Sequence, residues 1–203
     1  MNVLTILFLL LNNFLQQDIQ DRQSLFDGES LDGWLVIDAV GHGRVSVDEE
    51  CIIIEKGEEI TGVKWTGELP KMDYEVHLEA KRIDGSDFFC GLTFPVEESF
   101  LTLVLGGWGG SVTGLSCIDS YDAAENETYG MWEFEQNKWY SVRLSVTKEK
   151  IEAWIDDNKI VDFVQGQSHL SLRWEVDISK PFGITTYKTT GAIRKITLIN
   201  KNR

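Results

Sequence analysis

Positive charge, cysteine, proline and histidine are all scarce in this 203-residue chain. Nineteen Lys and Arg stand against 33 Asp and Glu, a net charge of −14. A chain that acidic repels phosphate backbones, so nucleic acid is excluded as an expected partner. The three cysteines, Cys51, Cys90 and Cys117, are odd in number and too few for a disulfide framework. Cys51 opens CIIIE and Cys90 sits in FFCGLTF, strand-like apolar surroundings in which a thiol acts as a small buried hydrophobe. No Cys-x-x-Cys occurs and His42, His77 and His169 are scattered, so the spacing of a structural zinc site is missing. Also missing are a Gly-x-Ser-x-Gly elbow, a dinucleotide fingerprint after a strand and a Gly-x-x-x-x-Gly-Lys phosphate loop. These absences argue against serine-hydrolase, redox-cofactor and nucleotide chemistry. The apolar run at 3–11 (VLTILFLLL) is far short of the ~20 residues that span a bilayer, so no integral membrane domain is expected. It fits the apolar region of a secretory signal peptide, although no Lys or Arg precedes it and no A-x-A-like cleavage site follows; a misplaced start codon and a docking helix are the other readings. The expectation is a leader over 1–20, export to the periplasm or beyond, and one domain over 21–203.

What is abundant is glycine (18), tryptophan (7) and period-two alternation. In 73–83 (DYEVHLEAKRI), Tyr74, Val76, Leu78 and Ala80 fall on one face and Glu75, His77, Glu79 and Lys81 on the other. Residues 138–147 repeat the pattern, and 150–156 with 159–164 read as a hairpin turning at Asp156-Asp157-Asn158. Further strands are predicted at 34–38, 44–48, 51–56, 60–65, 87–94, 100–105, 112–118, 182–187 and 192–199, with no helix of consequence. Such spacing predicts an all-β, two-sheet antiparallel jelly-roll sandwich, of the concanavalin or laminin-G kind.

Residues 24–34 read SLFDGESLDGW, two Asp-Gly turns between the apolar anchors Phe26 and Trp34. This stretch resembles the opening signature of the 3-keto-disaccharide hydrolase domain family, L-F-D-G-x-S-L-x-G-W. The resemblance continues through DYEVHLEAKR (73–82), NKWYSVRLSVTKEKIEAWIDDNKIVDF (137–163) and GAIRKITLIN (191–200), and so covers about 24–200. It implies a concanavalin-like jelly roll and hydrolysis or elimination at a 3-keto-glycoside. In place of the polar strand common in that family, 99–105 (SFLTLVL) offers Thr102 alone.

Three places could carry chemistry. In 119–127 (DSYDAAENE), Asp119, Asp122 and Glu125 could hold a divalent cation, calcium or a transition metal. Alternatively, Asp122 and Glu125 could serve as an acid/base pair on a sugar, or the stretch is a solvated acidic loop. Asn126-Glu127-Thr128 also fits a glycosylation acceptor. The second place is 106–110 (GGWGG), where glycines free the backbone to present Trp108 to a sugar ring, or to bury it at a bulge. The third is the row Glu75, His77, Glu79, whose neighbours stand ~7 Å apart on one strand face. It could bind hydroxyls with His77 moving a proton, or be an ordinary solvated face. Trp174, Glu175 and Tyr187 could add stacking and an acid to the same groove. The expected ligand is a carbohydrate, met either by an enzyme or by a non-catalytic binding or adhesion module of the same fold.

Overall fold

A computed structural model describes residues 22–201, so the expected leader lies outside the described residues. The described chain folds as a sandwich of two antiparallel sheets. Its strands are β1 (Arg22–Ser24), β2 (Trp34–Val36), β3 (Val45–Asp48), β4 (Cys51–Ile54), β5 (Ile60–Trp65), β6 (Tyr74–Asp84), β7 (Cys90–Val96) and β8 (Ser99–Gly107). There follow β9 (Val112–Ser116), β10 (Gly130–Met131), β11 (Trp139–Val146), β12 (Lys150–Ile155), β13 (Asn158–Val164), β14 (Gly183–Tyr187) and β15 (Thr190–Asn200). The first sheet runs β13-β12-β11-β6-β15-β4-β3, with β1 paired to the far end of β15; the second runs β10-β9-β8-β7-β14-β5-β2. The strands expected from alternation all appear. The short β1 and β10 and a six-residue 3-10 helix, Trp174–Ser179, were not expected.

Alternation decides which face goes where. Tyr74, Val76, Leu78 and Ala80 of β6 pair across with Val146, Leu144, Val142 and Tyr140 of β11, and all eight are buried. They meet Leu92 and Phe94 of β7, Leu101, Leu103 and Leu105 of β8, Leu115 of β9 and Ile184 of β14 from the other sheet. Burying this apolar area is the main driving force for the fold. At the N-terminal motif, Gly33 sits at φ +81°, and a Cβ there would come within 2.4 Å of the Trp65 ring. Only glycine satisfies both conditions. Trp34, packed edge-on against Trp65 at 5.3 Å, donates its indole N–H to the carbonyl of Leu25 at 2.7 Å, closing the motif onto the core.

The outer faces of the two sheets differ. On the first sheet it is polar and ion-paired. Glu75 accepts hydrogen bonds from His77 (3.0 Å) and Lys201, with Arg143 at 3.7 Å, and Glu79 is held by Arg194 (2.7 Å) and Lys195 (2.8 Å). On the second sheet the outer face is itself covered: every residue of β7 and β9 is buried. Register places Ser116, Thr102, Thr93 and Gly183 in one outward row across β9, β8, β7 and β14. Two of the hydroxyls bond to one another and to the 3-10 helix, since Ser179 donates to Thr93 at 2.8 Å and Thr93 meets Thr102 at 3.0 Å, while the Ser116 hydroxyl meets the Cys117 thiol at 3.3 Å.

The hydrogen bond from His77 outweighs the effect of burial and, with Lys201, brings the Glu75 carboxyl down to about 2 from an ordinary 4.5. A carboxyl lowered in the folded state stabilises above its unfolded pKa, and that contribution is lost as pH falls from about 4.5 through 2. Glu75→Gln should therefore lower stability at neutral pH by on the order of 2 kcal/mol. The gap between variant and parent should close as thermal melts are moved from pH 5 to pH 2. A gap that stays constant over that range would show that Glu75 acts through packing alone.

Candidate functional site

A cavity of about 240 Å³ opens on the outer face of the second sheet. Its floor is Thr102 and Val104 of β8, Ser116 of β9 and Ile60 of β5. One end is formed by Phe88 and Tyr187, stacked at 6.0 Å, with Asp87, Glu59 and Trp108. The other end is Arg173, Trp174, Glu175 and Val176, where the chain enters the 3-10 helix.

Trp108 reaches the cavity because its loop takes an unusual path. Gly106, Trp108, Gly109 and Gly110 have φ of +78°, +48°, +91° and +112°, and the ladder between β8 and β9 slips at this point. Bulged backbone of this kind re-aims a side chain, and the Trp108 indole is 42% exposed rather than buried in the core. Trp174, at 79%, is the most exposed aromatic lining the cavity.

Arg173 is brought in by pairing outside the regular strands. The 117–119 and 169–171 segments exchange backbone bonds, from Cys117 N–H to Ser171 (2.7 Å), from Ser171 N–H to Cys117 (3.1 Å) and from Asp119 N–H to His169 (2.8 Å). Arg173 then meets Asp122, 51 positions earlier, through Nη1, and Glu175 through Nη2 (2.8 Å) and Nε (3.3 Å). The hydrogen bond to Glu175, with the two nearby carboxylates, raises the guanidinium above its ordinary value. Burial pushes the Glu175 carboxyl up, but the bond and charge of Arg173 prevail, so it lies below the ordinary 4.5 and is ionised at neutral pH.

The acidic loop is organised by its neutral members. Asn126 donates its amide to the carbonyls of Leu115 (2.7 Å) and Tyr121 (3.1 Å) and accepts from Thr128 N–H (2.9 Å) and Oγ1 (2.6 Å). Thr128 Oγ1 in turn accepts the N–H of Leu115 at 2.8 Å. Asn126 and Thr128, which fit a glycosylation acceptor in the sequence, thus act as the loop's own scaffold.

The residues expected to carry chemistry fall into three groups. Trp108, Trp174 and Tyr187 line one cavity, and Asp122 adjoins it through Arg173. Asp119 and Glu125 do not line it: Asp119 accepts the backbone N–H of His169 at 2.7 Å and Glu125 is exposed. His77 and Glu79 lie on the outer face of the other sheet, with the hydrophobic core between them and the cavity. The three residues of the cation set, Asp119, Asp122 and Glu125, are not brought together. Among the described residues no three His, Cys, Asp or Glu side chains form a group that could hold a metal ion. The physical reason is that Asp122 is turned to Arg173 and Asp119 to a peptide N–H. Sequence reading missed Arg173, Asp87 and Glu59, and nothing in their local patterns marks them.

Three solved structures share the fold. The Crh5 transglycosylase in complex with NAG superposes with a TM-score of 0.59 at 10% identity, over 90% of this chain and 85% of that one. SCLam, a non-specific endo-β-1,3(4)-glucanase from family GH16, gives 0.58 at 10% identity, over 90% and 92%. The carbohydrate-binding module CBM66 from Bacillus subtilis gives 0.54 at 12% identity, over 83% and 96%. No protein of curated function matches the sequence. A family model for the 3-keto-α-glucoside-1,2-lyase-like domain matches residues 21–199, nearly the whole sandwich with its cavity, and the chain belongs to that family.

Proposed function

We propose that the cavity on the second sheet binds a carbohydrate and that the protein cleaves 3-keto-glycosides there by elimination. The observation that carries this is the placement of Arg173, held between Asp122 and Glu175, in the same cavity as Trp108, Trp174 and Tyr187. Aromatic faces cover the apolar face of a sugar ring, and a guanidinium beside a carboxylate supplies what the bond cleavage needs.

A ketone at C3 acidifies the hydrogen on C2. The Glu175 carboxylate takes that proton, and the C–H electron pair passes into a C2–C3 double bond, leaving negative charge on the C3 oxygen. Arg173 uses three of its N–H groups on Asp122 and Glu175 and keeps two to stabilise that oxygen. Collapse of the enolate restores the ketone, forms a C1–C2 double bond and expels the C1 oxygen substituent, which takes up a proton. Base and cation must be neighbours because C2 is bonded to C3, and Glu175 and Arg173 are in direct contact. Asp122 orients Arg173 from the other side. Water addition to the product would make the net outcome a hydrolysis.

A second reading, a non-catalytic carbohydrate-binding module, draws on the depressed Glu175 carboxyl, which is a weaker base, and on the exposure of Trp174. Export of the protein is supported by the apolar run at 3–11, and among the described residues no helix is long and apolar enough to cross a membrane.

Assays on 3-keto and unoxidised disaccharides separate these readings. In an enzyme, Trp108→Ala should raise KM by roughly the fivefold that ~1 kcal/mol of lost stacking gives, with kcat little changed. Arg173→Met and Glu175→Gln should each lower kcat by about 10²-fold. Since Glu175 must be ionised and lies low, kcat/KM should hold down to about pH 4.5 and fall only below it. A binding module would show no turnover, with affinity lost in Trp108→Ala alone. If Trp108→Ala lowers the melting temperature and leaves sugar binding intact, the cavity is not the sugar site.

Because Asp122 is committed to Arg173 and Asp119 to a backbone N–H, calcium should not raise the melting temperature over that measured in chelator. A gain of several degrees that is lost in Asp122→Ala would overturn that account of the 119–127 loop, since a ligand binding only the native state stabilises it.

A further inference from the structure

The inward row of β6 ends on a charge. After Tyr74, Val76, Leu78 and Ala80, the next inward position is Arg82, only 5% exposed. A buried cation ordinarily has an anionic partner. Among the described residues no carboxylate forms an ion pair with Arg82, and the charge of Asp87 offsets only part of the effect of burial. Its guanidinium lies against the rings of Phe89 (5.1 Å) and Phe134 (5.6 Å), and Nη2 donates to three backbone carbonyls: Asp87 (3.2 Å), Gly106 (3.2 Å) and Gly110 (2.8 Å).

Those carbonyls belong to the two segments that form one end of the cavity, 86–88 and 106–110. The second has little else to fix it. Its backbone is left-handed at four of five residues, and beyond the ladder pairing of Gly107 with Val112 it is tied by Gly110 N–H to Gly107 (3.1 Å) and Gly109 N–H to the Asp87 carboxylate (3.4 Å). Gly106 is also shaped by the arginine, because a Cβ there would lie 2.2 Å from Nη2.

We propose that Arg82 is the positioning residue of the cavity, drawing both rim segments to one guanidinium and so fixing the Trp108 indole and the Asp87 carboxylate without touching the sugar. This rests on the cavity being the sugar site. Lysine keeps the charge but is one bond too short to reach all three carbonyls and lacks the planar group that lies between the two rings. Methionine keeps apolar packing and removes the donors.

The test is hydrogen exchange on folded Arg82→Lys and Arg82→Met, read at 106–110 and at β11, together with KM for the 3-keto disaccharide. The expected result is exchange at 106–110 faster by at least about tenfold with β11 unchanged, and KM raised by about 10- to 100-fold with kcat within about twofold. The effect should be smaller in Arg82→Lys. Wild-type exchange at 106–110 in a folded variant, or an unchanged KM, would overturn the proposal. So would failure of both variants to fold, which would assign Arg82 to the stability of the sandwich as a whole. If the parent protein neither binds nor turns over the sugar, the functional reading fails while exchange at 106–110 still decides whether Arg82 holds the loop.

Discussion

The central strands of the second sheet are buried on both faces, and the rest of the molecule is arranged around that fact. A strand covered on one side can place polar groups in water on the other, as β6 and β11 do with His77, Glu79, Arg143 and Ser141. Strands β7, β8, β9 and β14 cannot. Many of their outward positions are glycines or hydroxyls, including Gly91, Gly114, Gly183, Thr93, Thr102, Ser116 and Thr185. Buried hydroxyls need partners, because an unpaired one costs roughly 1–3 kcal/mol. The chain supplies them by laying the 117–129 loop and the 169–179 segment over the sheet. Where this cover is incomplete, the cavity remains.

This cover also explains how residues far apart in sequence form one site. The 117–119 and 169–171 segments pair because both cross the same face and each has backbone groups left without a ladder partner. Pairing there sets Arg173 against Asp122 and turns Glu175 onto the same guanidinium. Asn126 and Thr128 do for Leu115 what a neighbouring strand would do, so the loop needs no regular structure to hold its shape.

Strand assignment was legible in the sequence wherever alternation ran for five residues or more, and β5 matches its expected limits of 60–65. The three-residue β1, the two-residue β10 and the 3-10 helix are too short to show a period. The aromatic half of the cavity was legible as well, since a tryptophan among four glycines is a local signal. The Arg173 cluster was not, because its members are joined only through the cover on the second sheet. Arg82 lies between these cases. In DYEVHLEAKRID it falls on the apolar side of the alternation, and a charge in that register is a signal that sequence alone could have yielded. Conversely, Glu75, His77 and Glu79 formed the tidiest row of titratable groups in the chain, and the partners that neutralise them, Arg194, Lys195 and Lys201, are more than 110 positions away.

The two arginines illustrate how context assigns a charge its task. Arg173 sits between two carboxylates, so the trio is net negative and cannot draw an anion in from solution. In a chain of net charge −14, long-range steering of an anionic ligand is in any case unfavourable. What the trio does offer is short-range: N–H groups at fixed positions, with no rearrangement needed when negative charge develops on an oxygen in contact with them. On the proposed function the ligand is a neutral sugar, which carries no charge on arrival and acquires it only as the C2 proton leaves. Arg82, bonded to carbonyl dipoles and set against ring faces, has no such role at a distance; burial holds its guanidinium below its ordinary value, and the nearby Asp87 charge offsets only part of that. Its charge strengthens bonds to three carbonyls, and the rigidity of the Trp108 loop follows from those bonds.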